Sequence, residues 1–182
     1  MTEQQIVEGC KKQKREAQKA LYERYSRTMY GICLRYCADT DDAKDLLQDG
    51  FIKIFSNISS FQEKGSLEGW VKRVFINMAL ESFRKNKTLI QRIDDVQELS
   101  EMVEDDANDS AMAQVSEEEL LRMIQELPKG YSTVFNLYAI EDLPHKEIAS
   151  MLGISEGTSR SQYVRARNLL QEKVRNYIRS NS

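Results

Sequence analysis

LPHKEIASMLGISEGTSRSQYVRAR, residues 143–167, is the stretch whose reading decides the fold of this chain. Ile148, Ala149 and Leu152 fall on one helical face, and Gly153 follows where a helix exit calls for a left-handed residue. Ile154 adds an apolar anchor, and Ser155 with Glu156 has the chemistry of a new helix start: an oxygen for orphan amides and an anion at the positive dipole end. Two short helices joined by a turn that opens on Gly153, with small Ala149 four residues earlier to permit close crossing, make a helix-turn-helix. In that motif the second helix enters a DNA major groove.

On the second helix, Ser159, Tyr163, Ala166 and Leu170 are spaced to turn inward, which leaves Thr158, Ser161, Gln162 and Arg165 as the expected reading face. Arg165 suits a guanine edge, Gln162 an adenine, and Thr158 or Ser161 either base or phosphate; Arg160 and Arg167 flank the face and suit backbone oxygens. An ordinary helical hairpin with a solvated polar side is the competing reading. The joint agreement of the glycine, the alanine and the apolar spacing favours DNA.

The surrounding chain is helical in composition. It has 182 residues, of which 41% are hydrophobic and 30% charged, with two prolines and eight glycines, so little interrupts a helix. The expectation is an all-α protein of two small helical domains joined by an acidic flexible linker, the second a four-helix domain with the helix-turn-helix. No apolar run reaches membrane-span length and the N-terminus lacks a signal peptide's apolar core, which points to the cytoplasm without membrane insertion. Cys10, Cys33 and Cys37 are odd in number and read as core or half-buried thiols in a reducing compartment. No metal, cofactor or catalytic residue is expected: one histidine and scattered cysteines offer no nucleophile and base to assemble.

The net charge of −3 looks wrong for a DNA binder until it is divided along the chain. Asp94 to Glu119 carries eleven acidic residues and no lysine or arginine, so the rest holds 26 basic against 18 acidic, a net of +8. The expected boundaries are a first domain at 1–92, an acidic tether at 93–116 and a second domain at 117–182.

After a polar N-terminus, Leu21, Tyr25, Met29, Ile32, Cys33 and Tyr36 mark a long helix. Residues 41–55, DDAKDLLQDGFIKIF, carry a core stripe of Ala43, Leu46, Leu47, Phe51, Ile54 and Phe55. Beside it, Asp45, Gln48, Asp49 and Ile52 follow i, i+3, i+4, i+7, which fits either a partner helix or a solvated acidic face with one stray isoleucine. Ser66 then opens a helix with Leu67, Trp70, Val71, Val74 and Met78 on one stripe and Ile76, Leu80 and Phe83 nearly opposite, among Lys72, Arg73 and Arg84. Such a helix is either sandwiched or bears an exposed aromatic and basic face; with Phe61 in the preceding loop, the second option suits single-stranded nucleic acid. Helices are also expected at 117–126 and 131–139, the second offering Val134, Phe135 and Tyr138 inward.

Taken together, YERY (22–25), DDAKDLLQDGFIKIF (41–55), GWVKRVFINMALESFRK (69–85), the acidic tether and residues 127–170 closely resemble the small bacterial sigma factors of the extracytoplasmic function group. The resemblance spans nearly the whole chain, from about Lys19 onward. It implies binding to core RNA polymerase and promoter DNA, with restraint by an anti-sigma factor; separately, a monomer is expected when free. By that resemblance Asp45, Gln48, Asp49 and Ile52 dock on the polymerase, Phe61, Lys72, Arg73, Asn77 and Arg84 serve the minus-ten element, and Thr158, Arg160, Ser161, Gln162, Arg165 and Arg167 serve the minus-thirty-five element. Three departures stand out: Ser159 where the pattern usually has valine, Gln162 in place of a frequent arginine, and Gly50 where an aliphatic residue is common. The last would weaken its helix by up to about 1 kcal/mol of propensity. A stand-alone helix-turn-helix regulator is the alternative, but the first half shows neither alternating strands and helices nor a phosphate loop.

Overall fold

The computed structural model describes residues 1–85 and 113–182, and among them every regular element is helical. The chain forms two compact units, Met1–Glu81 and Ser82–Ser182. Most of the expected acidic tether lies outside the described residues; Ser116, placed in it by the sequence reading, instead starts a helix.

The first unit begins with α1 (Glu3–Lys11), which the sequence reading passed over as polar. Thr2 and Gln5 form a reciprocal capping box there, and Ile6, Val7 and Cys10 are buried. A tight turn with Gln13 at φ 55° leads into α2 (Arg15–Tyr36). A Cβ on Gly9 would stand 2.4 Å from that of Ala17, so the two helices meet where both side chains are minimal. Asp39 then caps α3 (Thr40–Asn57), its carboxylate accepting from the amides of Asp41 and Asp42 at 2.9 Å each.

Gly50 on α3 faces the core. A Cβ there would fall 2.1 Å from the ring of Phe75, which is fully buried on α4 (Leu67–Lys85). The glycine that looked like a propensity fault is the recess into which a phenylalanine fits. Phe51 meets the same ring edge-on at 5.5 Å and Tyr22 of α2 at 4.7 Å. On α4, Leu67, Val71, Phe75, Ile76, Leu80 and Phe83 are all buried, so the sandwiched reading of this helix holds and the exposed apolar face does not. Leu46 and Leu47 are only half-buried; Gly50 and Phe51 occupy the centre of the stripe instead.

The second unit contains α5 (Glu117–Gln125), capped by Ser116, and α6 (Lys129–Phe135), whose last turn widens into a π-turn at Asn136–Ile140. The wider turn rotates the following residues, and Tyr138, expected inward, is 37% exposed. After α7 (His145–Leu152), Gly153 adopts φ 65°, ψ 41°, and Ser155 accepts from the Thr158 amide at 3.0 Å to start α8 (Glu156–Ser180). The second helix of the turn motif and the C-terminal tail are one continuous rod. Met123, Ile124, Leu127, Ala166, Leu170 and Val174 form its core with α5, and Lys173 donates to Glu126 at 2.6 Å along the rim.

No helix among the described residues is long and apolar enough to cross a membrane. Cys10 and Cys33 are buried and Cys37 half-buried; burial, then the neighbouring Cys37, pushes the Cys33 thiol up to about 12.

Candidate nucleic-acid and partner interfaces

Burial of Ala43, Gly50, Phe51 and Ile54 fixes the rotation of α3, and the opposite side is then forced outward. Asp45, Gln48 and Asp49 are exposed, and Ile52 is 56% exposed among them. A large aliphatic side chain in water, ringed by carboxylates, suits an apolar contact flanked by cations.

The loop before α4 builds a cleft of about 470 Å³ lined by Ser60, Phe61, Gln62, Lys64, Gly65, Trp70 and Arg73, among others. Glu63 at φ 57° and Gly65 at φ 139° bend the loop back, and Ser66 holds the Gly69 amide at 3.1 Å. Phe61 is not the free stacking ring expected. It is 7% exposed, with its ring tilted against Trp70 at 5.6 Å, because a loop aromatic this close to an indole gains more by covering it than by facing water. Trp70, assigned to the core stripe, is half-buried and lines the cleft. Arg73 stands beside it, and Asn77 and Arg84 continue its face at helical spacing; Lys72 lies off that stripe and half-buried.

On α8, Ser159, Ala166 and Leu170 are fully buried as the spacing required. Gln162 is a correction: it is 1% exposed, because it lies one turn before Ala166 on the inner side. Ser161 is also buried, its hydroxyl donating to the Thr158 carbonyl at 3.0 Å. Thr158 shares its hydroxyl with the Ser155 cap at 2.9 Å. That leaves Arg160, exposed and ion-paired with Glu156 at 3.3 Å, and the half-buried Arg165 and Arg167 as the cationic groups of this segment. Arg160 lies near the N-terminus of α8, whose amides and dipole also favour phosphate, and Arg165 and Arg167 follow more than a turn further along the helix.

Residues 21–88 match the family model described as Sigma-70 region 2, and residues 117–170 that described as Sigma-70, region 4. The chain is 25% identical over 182 residues to the ECF RNA polymerase sigma-E factor of Haemophilus influenzae, with 96% of each covered. It is 27% identical over 190 residues to the RNA polymerase sigma-H factor of Pseudomonas aeruginosa, covering 97% of this chain and 96% of that one. This chain is a sigma factor of the extracytoplasmic function group, in the sigma-70 family.

The fold of this sigma factor agrees with solved relatives. The sigma factor RpoE of Bartonella quintana, in complex with the anti-sigma factor NepR, superposes with a TM-score of 0.53 at 21% identity, covering 85% of this chain and 94% of that one. CnrH, in complex with the cytosolic domain of CnrY, gives 0.52 at 16% identity, with 96% and 97% covered. Sigma factors are initiation factors rather than enzymes, and this one is no exception. It binds core RNA polymerase and directs initiation at specific promoters.

Two residues at these candidate surfaces were not singled out from the sequence. Trp70 was hidden by its fit to an apolar stripe, although the loop beside it pointed to the cleft. His145, the single histidine, was given no role, yet its Nδ1 lies 2.8 Å from Ser159 Oγ.

Proposed function

We infer that this sigma factor divides its work among three surfaces. The outer side of α3, with Ile52 amid Asp45, Gln48 and Asp49, docks on core polymerase; a large apolar side chain left 56% exposed among polar neighbours supports this most directly. Two compact helical domains carry the nucleic-acid surfaces, one on either side of the acidic segment near residues 93–116. The cleft walled by Phe61, Trp70 and Arg73, with Asn77, Arg84 and Lys72 along α4, engages the opened minus-ten strand. Stacking on the half-buried Trp70 ring, backed by Phe61, and phosphate contacts from the cations would stabilise an unstacked base there.

The minus-thirty-five element is met by α8 through Thr158, Arg160, Arg165 and Arg167, with Ser161 and Gln162 serving the packing and internal order of that helix. An anti-sigma factor restrains the chain in the cytoplasm, where the polymerase works. The decisive experiment is transcription by purified core polymerase, with and without the protein, on upstream fragments from its own genome. Start sites that appear only with the protein are the expected result. Unchanged start sites, with the protein alone shifting duplex DNA, would sink the docking role of α3.

A further inference from the structure

Ser159 lies in the first turn of α8 and is fully buried. A hydroxyl is a poor choice for that place on packing grounds, because burying one without a partner is costly. The partner comes from the preceding helix. His145, the chain's single histidine and the first residue of α7, puts Nδ1 2.8 Å from Ser159 Oγ.

The imidazole is held in a fixed plane. Tyr138 of the π-turn stacks on it at 4.2 Å and 11°, Tyr163 of α8 meets it edge-on at 6.0 Å, and the two tyrosines touch each other at 4.5 Å. Phe135 stacks on Tyr163 from behind at 6.0 Å. A ring clamped in this way aims its nitrogen, and a hydrogen bond from an aimed nitrogen is directional where apolar packing is not.

We propose that His145 is a positioning residue for promoter recognition: through Ser159 it sets the rotation of α8 as that helix leaves the turn, and hence where Thr158, Arg160 and Arg165 meet DNA. This rests on reading α8 as the minus-thirty-five helix. The leverage is geometric. Side chains on the outer face end some 5–6 Å from the helix axis, so a 20° rotation moves them by roughly 2 Å, more than a base-edge hydrogen bond tolerates.

The same bond gives the position a protonation dependence. The neutral ring with its proton on Nε2 accepts from the Ser159 hydroxyl; the charged ring would have to donate instead. Burial holds the His145 pKa below its ordinary value, Arg160 adds to that and Glu156 opposes it, while Tyr138 and Tyr163 are the titratable groups stacked on the ring.

The test uses the full chain with core polymerase on a promoter recovered by the transcription screen, and on the same promoter truncated to its minus-ten region. His145→Phe keeps a ring and loses the bond, His145→Asn places an amide near the Nδ1 position, and Ser159→Ala removes the other partner. His145→Phe and Ser159→Ala should each weaken binding to the full promoter by roughly five- to tenfold, the net worth of one hydrogen bond. The truncated promoter should be bound as by wild type. The double variant should be no worse than either single one, His145→Asn should recover part of the loss, and the acid-side weakening of wild type should vanish in His145→Phe.

Losses that simply add, or that fall equally on both fragments, would overturn the proposal as mere loss of packing. If wild type directs polymerase and His145→Phe binds the full promoter normally, the proposal alone fails. If wild type does not direct polymerase at all, the sigma reading and the proposal fall together.

Discussion

α3 and α8 each carry one of the proposed working faces, and they are seated on their own domains by opposite means. The inner side of α3 is seated by shape: Gly50 leaves a recess and the ring of Phe75 fills it. The inner side of α8 is seated partly by a polar bond, Ser159 to His145, inside an aromatic frame. Shape contact is strong, insensitive to protons and intolerant of one added methyl. A polar seat is weaker but directional, so it controls the angle of a helix more than its attachment. A surface that only has to stick is served by the first, and one that has to read atoms by the second.

Gly50→Ala strains the comparison most. Overpacking against Phe75 should cost about 3 kcal/mol, less the roughly 1 kcal/mol that alanine returns in helix propensity, for a net loss near 2 kcal/mol. Urea unfolding followed by circular dichroism would show it, and adding Phe75→Leu should recover part of the loss. A Gly50→Ala protein as stable as wild type would mean that shape does not seat α3.

On the opposite face of the same helix, Ile52→Lys should do the reverse. Stability should stay within about 0.5 kcal/mol, while affinity for core polymerase falls about tenfold or more. Titration against core polymerase and a thermal melt separate the two effects.

Next in size is the start of α8. Ser155→Ala removes the cap on the Thr158 amide and should cost about 1 kcal/mol, read as a lower denaturation midpoint. The companion Asp39→Ala on α3 should cost a similar amount, since a cap is local and indifferent to how its helix is seated.

The smallest effect is the pH dependence. His145 binds its proton less readily in the folded chain than in the unfolded one. Its contribution is therefore complete above the unfolded value near 6.5 and is lost as pH falls below it through the lower folded value. Stability of wild type, compared with His145→Phe over that interval, should decline more steeply toward acid. Cys10 and Cys33, the buried thiols of the first domain, are shifted upward and so stay neutral there. Equal slopes for wild type and His145→Phe would remove the polar half of the comparison.

Much of this was legible in residue order. The exposed face of α3 followed from periodicity alone, since Ala43, Phe51 and Ile54 had to be inside and Asp45, Gln48, Asp49 and Ile52 then had to be outside. Other placements went wrong where chemistry was allowed to overrule spacing. Gln162 was set outward for its amide, although it lies four residues before Ala166 on the buried side. Phe61 was set outward for its ring. The opening helix was missed although Thr2 and Gln5 stand at capping-box spacing and Ile6, Val7 and Cys10 follow at helical intervals.

What the sequence determined by itself was carried within about one helical turn: the caps at Asp39 and Ser155, the left-handed exit at Gly153, and the stripes that make each segment helical. These depend on neighbours that covalent geometry already brings together. Only the tertiary structure decided that Gly50 is a socket rather than a flaw, that Trp70 and Phe61 share one cleft, and that the lone histidine meets Ser159 of α8. Each of those is a contact between separate elements, set by rotations and distances of a few ångströms that no spacing along a single helix encodes.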